Sequence, residues 1–361
     1  MSLVHHPDNP VPPGATSGLV KTPDGVSLRF AHWPALGGRR KGTVTLLQGR
    51  AEFIEKYFEM VSDLRARGFA VVAFDWRGQG GSDRLLKNRW KGHVPDFAKY
   101  REDLRTILRD VSLAEYAGPH YALAHSTGGA VLLSDTQRLR TLLDRAVICA
   151  PLTGLPDFGI VVGLHRSARM VVKWISLGLL GRARTPEGLD SALTVSERLA
   201  FFMARCLYWA GLGRFFVPGG NSNVLVPYDE NKQTSDPVRF RRFNGVLEAH
   251  PELGIGAPTI GWLHAAAKTI RSFKARQFGP SVVLPCLVIT AGHDRIVSTS
   301  ATEELCSRTK NAGYLEIAGS EHEILMEQDR FREQFFAAFD AFIPGVEMEA
   351  ELKASGGSQG G

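Results

Sequence analysis

Tyr121-Ala-Leu-Ala-His-Ser-Thr-Gly-Gly-Ala130 is the stretch on which the rest of the chain turns. Tyr121 to Ala124 is a short apolar run that reads as a buried strand, and Gly128-Gly129-Ala130 opens a helical pattern. Ser126 stands between them, with Ala124 two residues before it and Gly128 two residues after. This is the spacing of the G-x-S-x-G strand-to-helix turn, with Ala in the first position. The turn is so tight that its flanking side chains must be very small, and it pushes the serine out at the C-terminal end of the strand. A helix N-terminus there also aims backbone N–H groups at any negative charge that forms beside the hydroxyl. The plainer alternative is that Ser126 is an N-cap, a position serine favours.

Working outward, the neighbouring segments alternate. Lys41 to Gly49, Phe69 to Phe74 and Arg145 to Ala150 read as buried strands, the first ending in a glycine turn. Between them, Phe53 to Arg67 and Pro95 to about Ala117 carry apolar residues at helical spacing, for example Phe53, Tyr57, Val61 and Leu64. Leu19 to Trp33 reads as an edge hairpin about the turn signal Pro23-Asp24-Gly25. The alternation predicts an α/β fold with a mostly parallel central sheet and helices on both faces. After Pro151 the strands stop. From Asp157 to about Ala267 only helical segments and a polar loop, Gly219 to Pro237, are legible. Strands resume at Pro285 to Ala291 and Gly313 to Ala318, and a last helix spans Gln328 to Phe342. The Phe331, Phe335, Phe336, Phe339 and Phe342 stripe on it reads as core packing. Residues 1–17 and 346–361 are Pro-rich or Gly-rich and polar, and are expected to be disordered and flexible.

Bulk composition narrows the classes. The chain has 361 residues, 44% hydrophobic and 22% charged, which suits one large domain with an insertion. Its net charge of +6 favours anionic surfaces. With no basic arm or nucleic-acid motif, a membrane is the expected surface, and no nucleic-acid partner is expected. Cys149, Cys206, Cys286 and Cys306 are scattered, without metal-ligand spacing, and read as reduced thiols. The N-terminus lacks a secretory pattern, and no apolar run approaches the roughly 18 residues of a membrane span. A cytoplasmic protein is expected, one that could lie peripherally on the cytoplasmic face of the membrane.

A serine nucleophile needs a base and an acid that orients it, because a neutral hydroxyl attacks poorly. In a sheet of this kind they come from loops after later strands, in the order serine, acid, histidine. Asp294 follows the strand ending at Ala291, and His322 follows the last strand through Gly319-Ser320-Glu321. His322 would take the proton from Ser126, and Asp294 would fix its tautomer. Asp294 could instead pair with Arg295. His125 and His293 are weaker base candidates. Glu321 and Glu323 would either tune His322 or be solvated. For an oxyanion, the donors would be the backbone N–H of Thr127 and that of Arg50 in the Gln48-Gly49-Arg50 loop. The Arg50 side chain would be free to meet an anionic head group.

These residues carry a resemblance. Gln48-Gly-Arg-Ala-Glu-Phe-Ile-Glu-Lys-Tyr57, Phe74-Asp-Trp-Arg-Gly-Gln-Gly-Gly-Ser82, Ala124-His-Ser-Thr-Gly-Gly129, Ala291-Gly-His-Asp294 and Gly319-Ser-Glu-His-Glu-Ile-Leu325 occur in one order. Together they are similar to the α/β-hydrolases of the monoacylglycerol lipase and lysophospholipase branch, the serine aminopeptidase S33-like group. Within it the likeness is to the bacterial lysophospholipase L2 type. The G-R-x-E-x-x-x-K-Y piece is the most specific part. Ala124 and Gln48 depart from the Gly and His usual there.

The resemblance implies the α/β-hydrolase fold, a core of residues 18–152 and 268–345, and a helical cap of residues 153–267. It implies Ser126, Asp294 and His322 as catalytic residues and Arg50 and Thr127 as oxyanion donors. The activity implied is cleavage of a carboxylic ester through an acyl-enzyme, with a lysophospholipid or monoacylglycerol as substrate and no metal or organic cofactor. A peptidase or amidase with the same triad is one alternative, and a non-catalytic binding member of the fold is another. Arg166, Arg169 and Lys173, along the apolar segment 158–180, would suit contact with an anionic interface.

Overall fold

A computed structural model describes residues 2–37, 40–156 and 193–344. The eight strands are β1 (Thr16–Lys21), β2 (Ser27–Trp33), β3 (Gly42–Leu47), β4 (Phe69–Phe74), β5 (His120–His125), β6 (Arg145–Cys149), β7 (Cys286–Ala291) and β8 (Ala312–Ile317). They form one sheet in the order β1-β2-β4-β3-β5-β6-β7-β8. Strand β2 runs antiparallel to β1 and β4, and every other pairing is parallel. The expected edge hairpin is β1–β2.

Buried parallel strands are apolar on both sides, and the alternation of their side chains sorts them into two layers. Val72, Phe74, Ala122, Ala124, Ala146 and Ile148 face one core, while Val71, Ala73, Tyr121, Leu123, Val147 and Cys149 face the other. The longer helices are α1 (Phe58–Ala66), α2 (Phe97–Ile107), α3 (Thr127–Leu133), α4 (Val195–Leu207), α5 (Pro237–Ala249), α6 (Ile260–Phe273), α7 (Thr299–Ser307) and α8 (Asp329–Phe342). Helices α2, α3, α6 and α7 contribute to the first core, α1 and α8 to the second. Phe331, Phe335, Phe336 and Phe339 are buried in that second layer.

Two boundaries change. The N-terminal residues from 2 onward, expected to be disordered as part of 1–17, are packed on the domain. Leu3 is buried, Asn9 Nδ2 donates to the Glu55 carbonyl at 2.9 Å, and Trp33 Nε1 and Arg65 Nη1 donate to the carbonyls of Pro12 and Pro13. Prolines lack a donor but keep an acceptor, so this polar segment docks through its carbonyls onto side-chain donors of the core. The boundary expected at 267 also moves, because it falls inside α6. That helix is continuous from Ile260 to Phe273, and Ala265, Ala266, Ala267, Ile270 and Phe273 are buried in the first core. The segment 158–180, with Arg166, Arg169 and Lys173, and the tail 346–361 lie outside the described residues. Among the cysteines, Cys149, Cys286 and Cys306 are buried, Cys206 is exposed, and all four are free.

Candidate active site

Strands β3, β5, β7 and β8 are parallel, so the loops after them share one edge of the sheet. Arg50, Ser126, Asp294 and His322 follow those strands in turn. Ser126 has φ 49° and ψ −112°, a left-handed conformation that a side chain rarely adopts. Neighbouring chain holds it there: the Ser126 N–H donates to the Cys149 carbonyl at 3.0 Å, and the Ser126 carbonyl accepts from Ala130 and Leu152. The hydroxyl makes no capping hydrogen bond to α3. The N-cap alternative therefore falls.

Glycine is required at 128, where an added Cβ would lie 2.5 Å from the Leu47 carbonyl oxygen. Ala124, by contrast, sits in regular strand, paired with Leu47 and Ile148, outside the left-handed region. Its departure from Gly costs the turn nothing.

His322 Nδ1 and Asp294 Oδ2 are 2.7 Å apart, with both side chains almost fully buried. The other carboxylate oxygen of Asp294 accepts from the amides of Ile296 and Val297, at 2.8 and 2.9 Å. Burial alone would raise the Asp294 carboxyl. The hydrogen bond and charge of His322, with those two amides, outweigh it and hold the group below the usual carboxylate range. The carboxylate is thereby fixed in direction, and Nε2 is the His322 nitrogen it leaves unengaged. Arg295 turns instead to Glu321, at 3.0 Å.

Ser126 Oγ and His322 Nε2 have no hydrogen-bond partner among the described residues. The residue before Ser126 packs against His322. The His125 ring lies 4.8 Å from the His322 ring, centroid to centroid, and its Nε2 is 3.3 Å from the His322 carbonyl oxygen. His125 Nδ1 is 2.8 Å from Glu52 Oε1. Both His125 nitrogens are thus committed away from the serine, as expected of a residue inside the turn. His293 is largely exposed, beside Glu321 at 3.2 Å.

The Thr127 amide is the first of α3 and has no intrahelical acceptor. The Arg50 amide has no acceptor among the described residues. The Arg50 guanidinium does not point to open solvent. Its Nη2 donates to the Gly256 carbonyl, and the group lies 5.5 Å from the centre of the Trp262 ring. Burial lowers its pKa to about 10. A head-group role is thus replaced by a tie to the chain between β6 and β7.

Sequence reasoning missed a set of buried charges behind His322. Glu52 Oε1 accepts from Lys56 Nζ at 2.9 Å, and Glu52 Oε2 accepts from the Tyr57 hydroxyl at 2.6 Å and from the Gly49 amide. Lys56 Nζ also meets Glu323 Oε1 at 2.5 Å. Glu321 and Glu323 are therefore both buried and paired, not solvated. The signal was present in G-R-x-E-x-x-x-K-Y, whose Glu52 and Lys56 stand four apart around the apolar pair Phe53-Ile54.

Comparison with known proteins gives the family and the fold. A model of the family described as serine aminopeptidase, S33, matches residues 38–329, and the chain belongs to that family. The lysophospholipase L2 of Escherichia coli strain K12 is 28% identical over 317 residues, covering 86% of this chain and 82% of that protein. A probable lysophospholipase L2 of Haemophilus influenzae is 24% identical, covering 88% of each. Among solved structures, a soluble variant of monoglyceride lipase from Saccharomyces cerevisiae superposes with a TM-score of 0.63 at 15% identity, over 91% of this chain and 94% of that one. At that identity it speaks for the α/β-hydrolase fold alone.

Proposed function

We propose that this S33-family chain is a serine hydrolase that cleaves the carboxylic ester of a lysophospholipid or monoacylglycerol through an acyl-enzyme at Ser126. The observation that carries the reading is the buried His322–Asp294 hydrogen bond at the sheet edge where the strained serine turn emerges. His322 Nε2 takes the Ser126 proton as Oγ attacks the ester carbonyl. Asp294 holds the tautomer and stabilises the imidazolium. The oxyanion accepts from the amides of Thr127 and Arg50. Collapse of the tetrahedral intermediate expels the alkoxide, which leaves as an alcohol carrying the proton from His322. Water, deprotonated by His322, then releases the fatty acid by the same steps in reverse.

The lysophospholipase relatives and the basic net charge support a lipid substrate taken from an anionic surface. The insertion between β6 and β7 supports it too. Met203, Trp209 and Phe215 are exposed there, Trp209 by 78%, beside the exposed Arg214. Lys91 Nζ lies 5.1 Å from the Phe215 ring centre and donates to the Arg214 carbonyl. Aromatic residues set among cations match the boundary between head groups and acyl chains. No helix among the described residues is long and apolar enough to cross a membrane.

Covalent labelling with a fluorophosphonate probe, mapped by mass spectrometry, tests the core of the reading. The label is expected on Ser126 and absent from Ser126→Ala, whose esterase activity should fall by roughly 10⁴-fold or more with the fold intact. A label elsewhere, or wild-type turnover in Ser126→Ala, refutes it. A panel of lysophospholipids, monoacylglycerols, p-nitrophenyl esters and aminoacyl amides, compared by kcat/KM, then sets the substrate class.

A further inference from the structure

The buried cluster behind His322 has no part in the proton transfers, yet its bonds run to the loops bearing Arg50, Ser126 and His322. Glu52 belongs to the loop after β3, and its Oε2 receives the amide of Gly49, the residue before Arg50. Its Oε1 meets His125, the residue before Ser126. Through Lys56 it is joined to Glu323, the residue after His322, and through His125 Nε2 to the His322 carbonyl.

We propose that the Glu52 carboxylate is a positioning hub: through His125 and the Lys56–Glu323 ion pair it locks the loop bearing His322 to the loop bearing Arg50, keeping the base and the oxyanion donors in one registry during turnover. The inference rests on the reading of Ser126 and His322 given above. None of the hub residues touches substrate. They act through the backbone of the residues beside them.

Several observations converge on this. The side chains of Glu52, Lys56, His125 and Glu323 are no more than 5% exposed, so their bonds face little competition from water. The space among them is too small for a ligand. A void of about 10 Å³, bounded by Lys56, Tyr57, His125, Glu323 and Met326, has room for one water at most. This removes the reading as a substrate pocket.

The hydrogen bonds also define a charge state. Both ring nitrogens of His125 face acceptors, a carboxylate and a carbonyl, an arrangement that only the doubly protonated imidazolium satisfies in full. Two cations then balance two carboxylates in a buried volume where an uncompensated charge would be costly. Burial opposes the charge on His125, but Glu52 outweighs it and raises the ring above its ordinary range. Burial likewise opposes the charge on Lys56, which Glu323 and Glu52 overcome.

The pH consequence has a definite sign. A raised pKa means that the clamp is complete below the ordinary histidine value and opens as pH rises through the His125 value. The charged and titratable groups around the ring are Glu52, Lys56, Glu323, Tyr57 and the His322 ring, which lies 4.8 Å away. Burial and Glu52 push the Tyr57 hydroxyl well up, Lys56 is raised, and burial holds the Cys149 thiol of β6 neutral. The deprotonated ring keeps a single N–H, and one of its two bonds is lost. A base misplaced by about 1 Å costs on the order of 10²-fold in rate.

The test uses the full chain with His125→Gln, Glu52→Gln and the double variant. Each single variant is expected to lower kcat by 10- to 100-fold with KM within threefold, and to slow fluorophosphonate labelling of Ser126 in parallel. The double variant should lose no more than the worse single, since both break one clamp. Wild-type kcat should decline on the alkaline side, and His125→Gln should abolish that limb. His125→Gln leaves Glu52 bonded to Lys56, Tyr57 and Gly49, so it decides the matter even where Glu52→Gln fails to fold. Wild-type kcat in folded His125→Gln, or a reduced kcat with the alkaline limb unmoved, overturns the proposal. A wild-type protein that is not labelled at Ser126 would instead overturn the underlying reading.

Discussion

Two buried ion clusters start from one short stretch of chain, and they are built for different ends. From residues 52–57, Glu55 points one way and Glu52 and Lys56 another. Glu55 and Asp75 clasp Arg29 of β2, with Arg29 Nη2 to Glu55 at 2.7 Å and Nε to Asp75 at 2.6 Å, and all three are essentially inaccessible. The same carboxylates also accept from the amides of Val4, Ile54 and Gly81. The approach is so close that a Cβ on Gly80 would lie 2.1 Å from the Asp75 carboxylate. Every partner in this cluster comes from the first 81 residues. The second cluster joins Glu52 to His125 and Lys56 to Glu323, and so spans nearly the whole described chain. The first therefore secures local architecture. The second ties together loops that only the finished sheet makes neighbours.

The comparison can be broken from its functional end first. Asp294→Asn keeps the shape of the acid but no longer enforces the His322 tautomer. It should lower kcat by roughly 10⁴-fold, with little change in Tm. A loss of less than tenfold would show that Asp294 does not orient the base.

Arg29→Met attacks the other cluster. It leaves two buried carboxylates without their cation, and should cost about 3–5 kcal/mol of unfolding free energy in a urea titration. The kcat per labelled Ser126 should stay near wild type. If Arg29→Met instead acted like His125→Gln, lowering kcat without loss of stability, the distinction between the clusters would collapse.

A third, more exposed group tests how the chain between β6 and β7 is held to the core. Glu59 of α1 is bound by Arg239 and Arg242 of α5 and by Arg332 of α8. Burial alone would raise its carboxyl, but Arg239, Arg332 and Arg242 bring it from its ordinary 4.5 to about 2. A depressed folded pKa contributes stability that is present above about 4.5 and lost as pH falls toward 2. Screening at this partly exposed site limits the effect to on the order of 1–2 kcal/mol. Unfolding followed between pH 5 and 2.5 should show that decline, and Glu59→Gln should flatten it. An equally steep decline in the variant would assign it to other carboxyls.

The smallest expected effect concerns the exposed aromatic face. Trp209→Ala should weaken binding to vesicles containing phosphatidylglycerol by about tenfold, equivalent to ~1.4 kcal/mol. Hydrolysis of a soluble short-chain ester should not change. Unaltered vesicle binding would remove this face from the interfacial reading.

Much of the candidate site was legible because its signals are local. The serine turn is announced by small residues whose spacing follows from steric crowding, as Gly128 against the Leu47 carbonyl shows. Asp294 and His322 each follow a short apolar strand, so strand order alone brings them to one edge. The N-terminal segment was misread because proline-rich polar composition gives no sign of Trp33, Arg65 and Glu55 waiting for its backbone. The boundary at 267 was misplaced because α6 is apolar in both halves, and periodicity does not say which layer a helix joins.

The sequence by itself determined the order of strands and helices, the serine turn and the residues that could serve it. Hydrophobic periodicity and turn sterics act over a few residues and can be read there. Only the tertiary structure decided which buried charge meets which. Glu52 was visible as one carboxylate among many, and its bonds to Gly49 and Tyr57 were within local reach. Its pairing with His125, and that of Lys56 with Glu323, became definite only when the sheet brought distant loops together and burial removed the water that would otherwise have taken those bonds.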